Sequence, residues 1–219
     1  MCKAHHQLKF RLRVKSSLNK CMLLLILKNA HSTLEWYEEN HTDLQPDINW
    51  CVWREPWHRF VSAVWTDVVE KQQLDKPNSD NHSVAEIVPK IMDKDWLRQQ
   101  VQGDGPEALY YNAGHMITQW NDLQRECHRL KLFNGSVRIY SSVKTATKTH
   151  FNIKAPRAIN QSPPTVLRKI KDTLSPFKAH IVETYLQQDY EIWEQLDPVL
   201  NRTHTPFIDV PVDKIRKDL

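Results

Sequence analysis

Apolar residues run without a break from position 21 to position 27, the longest such stretch in the chain. A continuous run, unlike an alternating one, is the pattern of a strand covered on both faces, as in a parallel sheet between helices. Small and polar positions follow at 28–33, and 34–39 reads as a helix, giving strand, loop and helix in order. A second apolar run at 48–53 ends in Arg54-Glu55-Pro56, with Pro56 suited to the first position of the next helix. Over 56–72, Phe60, Val61, Val64, Trp65, Val68 and Val69 recur at three- and four-residue spacing and make one apolar face.

The segment 75–83 is rich in Pro, Asn, Asp and Ser and is predicted to be a loop, with Ser83 capping a helix that carries Val84, Ile87, Val88 and Ile91. Gly103-Asp104-Gly105-Pro106 is a break. A helix over 119–130, a turn at Asn134-Gly135 and a strand over 136–140 come next. From Pro164 onward the pattern is helical, interrupted near Pro176 and Pro198, and it ends in a proline-rich stretch at 205–212.

Composition narrows the class. The 219 residues suffice for one domain with its own core, read as a single unit over 1–219 with a basic lead-in at 1–20 and a tail at 205–219. Apolar residues make up 40% and charged residues 26%, which speaks against disorder and against a membrane protein. The net charge of +4 is small, so any preference for anions has to be local. Lys3, Lys9, Arg11, Arg13, Lys15 and Lys20 are read as a solvated lead-in, and no nucleic-acid partner is expected. Cys2, Cys21, Cys51 and Cys127 lack metal or disulfide-framework spacing, so reduced thiols and no metal are expected. The run at 21–27 is too short to span a bilayer, which takes about 20 residues. It also lacks the cleavage site of a signal peptide, and a cytoplasmic location is expected.

A small polar loop between a buried strand and a helix gathers backbone N–H groups and the positive helix end, where an anion can bind. Lys28 adds a charge there, and Ser32 and Thr33 add hydroxyls, but the loop has none of the glycines of G-x-x-x-x-G-K-[ST]. The second junction supplies a partner: in Arg54-Glu55-Pro56-Trp57-His58-Arg59-Phe60-Val61-Ser62, an arginine fork and a hydroxyl eight residues later suit one phosphate.

On these residues the chain resembles the sulfotransferases that use 3′-phosphoadenosine 5′-phosphosulfate (PAPS), in particular the carbohydrate branch related to heparan sulfate 2-O- and chondroitin sulfotransferases. The family motif reads R-D-P-x-x-R-F-x-S, and Glu55 stands for its Asp. Asn112 to Gln119 is similar to an H-x-x-P-Q segment with Thr118 at the proline, Asn160-Gln161-Ser162 to an N-x-S, and Tyr185 to Trp193 to the closing Y-x-x-D-[FY]-x-x-[FW] helix. The resemblance implies an α/β, three-layer, P-loop-like fold with a central, mostly parallel sheet flanked by helices and a helical C-terminal part. It implies that Lys28, Asn29, Ala30, His31, Ser32 and Thr33 hold the phosphosulfate, and that Arg54 and Ser62 hold the 3′-phosphate. Arg59, Lys154 and Arg157 are secondary, and His115 and Gln119 would lie toward the acceptor.

The function so implied is transfer of the sulfuryl group of PAPS to an acceptor hydroxyl, with a saccharide as acceptor. The alternatives are another phosphate-handling enzyme of nucleotide-kinase type and a non-catalytic module binding a nucleotide or RNA. Lys28 is assigned to the leaving group and His41, whose ordinary pKa of roughly 6.5 suits a base near neutrality, to the acceptor proton. Glu35, Glu38, His31 and His115 are the other candidate bases. Trp53 and Trp57 flank Arg54 and suit either ring stacking or core packing.

Overall fold

The computed structural model describes residues 22–23, 48–70, 87–102, 115–152, 164–197 and 206–216. Within them the strands are β1 (Met22–Leu23), β2 (Asn49–Val52), β3 (Ser136–Tyr140) and β4 (Phe207–Pro211). The helices are α1 (Pro56–Val64), α2 (Ile87–Met92), α3 (Lys94–Gln102), α4 (Gln119–Arg129), α5 (Val143–Phe151), α6 (Pro164–Leu174), α7 (Lys178–Ile181), α8 (Gln187–Leu196) and α9 (Val212–Arg216). A π-helical turn, Trp65–Glu70, prolongs α1, and another, Val182–Leu186, joins α7 to α8.

The expected fold class is overturned. Of the described residues 71% are helical, and the sheet is small and mixed, not a central parallel sheet flanked by helices. Its order is β1-β2-β3-β4, with β1 only two residues long. β1–β2 and β2–β3 pair in parallel, and β3–β4 pairs antiparallel. The physical reason lies in the length of the strands and the place of the apolar mass. No described strand exceeds five residues. Among the described residues the larger of two cores is built helix on helix, from Trp57, Phe60, Val64 and Trp65 against Ile91, Leu97, Ile170, Leu174, Ile181 and Leu186. The smaller core joins one sheet face (Cys51, Val137, Ile139, Val210) to α4, α8 and α9 through Leu123, Cys127, Ile192, Leu196 and Ile215. On the other face Trp50 stacks on His150 of α5, with ring centroids 4.2 Å apart.

Several local expectations hold. β2 and β3 fall where the apolar runs put them, and α4 starts at Gln119 behind Thr118, whose hydroxyl accepts from Asn121 N–H at 3.2 Å. Gly135 has φ of +84°, the left-handed turn that Asn134-Gly135 suggests. Helix α1 is buried at eight of its nine positions, His58 being the exception, which marks it as a central helix and not a surface one. The helix α5 was not foreseen. The stretch set apart as a proline-rich tail holds β4 and α9: Pro206 precedes the edge strand and Pro211 ends it, the positions a sheet tolerates. Cys51 and Cys127 are free, buried thiols, and burial pushes the Cys127 pKa up to about 12. Among the described residues no helix is long and apolar enough to cross a membrane.

Candidate functional site

The chain leaves the sheet at Trp53, whose N–H still reaches Tyr140 O at 2.8 Å, and Arg54 follows at the β2–α1 junction. Its backbone is taken up by one buried side chain. Gln119 Oε1 accepts from Arg54 N–H at 2.9 Å, and Gln119 Nε2 donates to Arg54 O at 3.0 Å. Gln119 is itself fixed from behind, because the Asp189 carboxylate of α8 accepts from Gln119 N–H at 2.9 Å and from Trp120 N–H at 2.8 Å. A carboxylate against the first N–H groups of α4 satisfies donors that have no partner within the helix. Asp189 also receives the Trp53 indole N–H on its carbonyl at 3.2 Å.

Two buried charges complete this support. Burial raises the Asp189 pKa above the usual carboxylate value, opposed by Arg59 and the two N–H donors. Burial likewise lowers the Arg59 pKa, with Asp189, Asp122 and Asp67 pulling it back. At the start of α1, Glu55 accepts from His58 N–H at 2.6 Å and from the Tyr190 hydroxyl. The N-terminus of α1 is thus closed by its own carboxylate, and an anion nearby has to be held by side chains.

Those side chains border a cavity of about 540 Å³. Arg54, His58 and Val61 form one wall; Pro164, Leu167, Arg168, Lys171 and Asp172 of α6 form the other. Arg54, Arg168 and Lys171 make three cations against the single carboxylate of Asp172. Burial lowers the Arg54 pKa from the ordinary arginine value, Glu55 acting the other way. A guanidinium that has lost part of its water gains from an anionic partner. His58 Nε2 lies 3.4 Å from Lys171 Nζ, and its Nδ1 lies 3.2 Å from Glu55 Oε2.

The structure brings together Arg54, Gln119 and the Asp189 helix, three segments far apart in sequence. It gives Gln119 a different duty from the one expected, since it is wholly buried and holds the Arg54 backbone. Ser62 is buried in α1 and is not among the cavity-lining residues. Arg59 is buried beside Asp189 instead of facing the cavity. Trp53 and Trp57 are core residues at 0% and 2% exposure, so the stacking alternative for them falls away. His115 Nδ1 lies 2.8 Å from Asp67 Oδ1 in the first π-helical turn, and Met116 N–H donates to the other oxygen of Asp67 at 3.1 Å. Lys28, Asn29, Ala30, His31, Ser32, Thr33, His41, Glu35, Glu38, Lys154, Arg157 and Asn160 lie outside the described residues.

Sequence reasoning missed His58, Arg168, Lys171 and Asp172. A signal existed: Arg168, Lys171 and Asp172 fall at i, i+3 and i+4 beside the apolar stripe of Val166, Leu167, Ile170 and Leu174. Among the described residues no group of three His, Cys, Asp or Glu side chains is placed to hold a metal. No family model matches the chain, and no characterised protein or solved structure is detectably similar to it.

Proposed function

We propose that the chain is a PAPS-dependent sulfotransferase acting on a hydroxyl, with a saccharide as the acceptor. The observation that carries the reading is the cavity at the β2–α1 junction, where Arg54 of the Arg-Glu-Pro-x-x-Arg-Phe-x-Ser motif meets Arg168 and Lys171. A volume of about 540 Å³ is within the range of small-ligand sites, and a net positive lining suits a phosphate. The residues present therefore fit the nucleotide's 3′-phosphate, with Arg54 supplying the bidentate fork and Lys171 a point charge.

PAPS, when bound, supplies a sulfuryl group already activated for transfer. The work left to the protein is to orient the acceptor, to take its proton and to stabilise charge on the departing phosphate. Lys28 is proposed for the departing charge and His41 for the proton. Of the alternatives, His115 has described geometry that favours it, because Asp67 holds its Nδ1 and orients the ring, as a histidine base requires.

The test is transfer of radiolabelled sulfuryl from PAPS to a panel of saccharides. Label in a saccharide product, lost in Arg54→Ala, is the expected result. Folded protein that binds the nucleotide yet neither transfers the label nor slowly hydrolyses PAPS would point instead to a non-catalytic nucleotide-binding module.

A further inference from the structure

We infer that Asn134 is a glycosylation site, its side-chain amide carrying an N-linked oligosaccharide whose first sugar packs on the ring of Phe133. The first observation lies in the sequence. The chain has twelve asparagines, and Ser and Thr make up about a tenth of its residues, so about one Asn-x-Ser/Thr triplet is expected by chance. Five occur, at Asn40, Asn81, Asn134, Asn160 and Asn201, and none has proline in the middle. Asn134 is the one that falls within the described residues.

There the triplet Asn134-Gly135-Ser136 has the setting a bulky surface modification needs. All three residues are exposed, on the bend that leads into β3. A Cβ added at Gly135 would meet nothing within 4 Å, so the bend projects into open space. Main-chain oxygens anchor it: Gly135 O accepts from Val212 N–H at 3.0 Å, and Leu132 O accepts from Arg216 Nη1 at 2.8 Å. The neighbouring Phe133 is 65% exposed, and the Arg216 guanidinium lies over its ring, 4.5 Å from the centroid. A single exposed aromatic is ordinary on a protein surface. One fixed by a cation beside an acceptor asparagine is a platform for the apolar C–H face of a sugar, because a flat ring gains from covering its open surface.

In the modification the Asn134 amide nitrogen attacks the anomeric carbon of an oligosaccharide carried on a lipid diphosphate. An N–C bond forms, the C–O bond to the diphosphate breaks, the lipid diphosphate leaves with the electron pair, and the amide gives up one proton. The reaction belongs to the secretory lumen, so it places the chain on that route in place of the cytoplasmic location expected from the sequence. A glycan here leaves the Arg54 cavity open. Asn134 precedes β3 and Arg54 follows the parallel strand β2, so the two stand at opposite ends of strands that run roughly 15 Å.

The experiment is peptide mapping by mass spectrometry of the full chain purified from the cells that make it, after treatment with peptide N-glycosidase in heavy-oxygen water. Trypsin releases Leu132 to Arg138 as one peptide, in which Asn134 is the single asparagine. Conversion of Asn134 to aspartate with uptake of heavy oxygen is expected, absent in Ser136→Ala. A parallel digest without the glycosidase removes the contribution of spontaneous deamidation at Asn-Gly. Unconverted Asn134 in the purified wild-type chain overturns the inference. The platform is read from thermal unfolding of the proteins made in the same cells: Ser136→Ala should lower Tm by about 2 °C in the wild-type background and leave Phe133→Ser unchanged. An equal drop in both backgrounds overturns the role of Phe133. Neither readout involves PAPS, so the sulfotransferase reading stands or falls separately.

Discussion

Replacing Gln119 by Met removes the side chain that holds Arg54 while keeping its length and volume close. The amide is wholly buried and makes two hydrogen bonds to one residue, at 2.9 Å to the N–H and 3.0 Å to the carbonyl of Arg54. With the thioether in its place both backbone groups lose their partner in a part-buried setting. An unsatisfied buried group costs about 1–3 kcal/mol, so two cost roughly 2–6 kcal/mol, less whatever water recovers at the cavity side. Against a typical total of about 5–15 kcal/mol the protein should still fold, with a lower denaturant midpoint. The second consequence is positional. Arg54 loses the clamp that fixes it at the end of β2, so affinity for adenosine 3′,5′-bisphosphate should fall about tenfold at a temperature where the variant is fully folded. Urea unfolding and calorimetric titration read the two effects separately. A stability loss under about 0.5 kcal/mol, or full affinity in the folded variant, would refute the claim that Gln119 positions Arg54.

Burial, with the Arg138 charge adding to it, lowers the His150 pKa from 6.5 to about 4. The unfolded chain therefore binds more protons, and the stabilisation is complete above pH 6.5 and is lost as pH falls toward 4; by pH 5 about 2 kcal/mol should be gone, a loss that His150→Phe should abolish in urea unfolding from pH 7 to pH 5. Lys131 is exposed with φ of 54°, so Lys131→Gly should raise stability by up to about 1 kcal/mol, where a normal helix-to-loop position would show a loss. The pair Arg138–Asp209 is bidentate, at 2.8 and 2.9 Å, but its members are 24% and 41% exposed, so Asp209→Asn should cost no more than about 1 kcal/mol in thermal or chemical unfolding.

The parts of the fold that were legible are those in which local pattern and tertiary context agree. Pro56 at a helix start, the apolar face of α1, the start of α4 at Gln119 and Asn134-Gly135 as a turn are each set by a few adjacent residues. The fold class was not legible, because the two apolar runs do supply parallel strands, β1 and β2, but say nothing of how small the sheet is or how much of the core among the described residues is helix on helix. β4 was hidden because two prolines frame it, and prolines are excluded only from central strands, not from an edge. Val143–Phe151 has three threonines and a weak apolar stripe, so α5 depends on packing against the sheet through His150 and not on its own pattern. At the site, Arg54 stood out by its motif, whereas Gln119 and Asp189 act through buried contacts 65 and 70 residues apart in sequence, a distance no local pattern spans.

The central claim is that Arg54 faces a cavity made for a nucleotide's 3′-phosphate. Its most direct test is calorimetric titration of the wild-type chain and Arg54→Ala with adenosine 3′,5′-bisphosphate and with AMP, which lacks only that phosphate. Micromolar binding of the bisphosphate, at least tenfold weaker for AMP and for Arg54→Ala, is the result expected, a difference of about 1.4 kcal/mol or more. Equal affinity for the two nucleotides, or no loss in a folded Arg54→Ala, would contradict it.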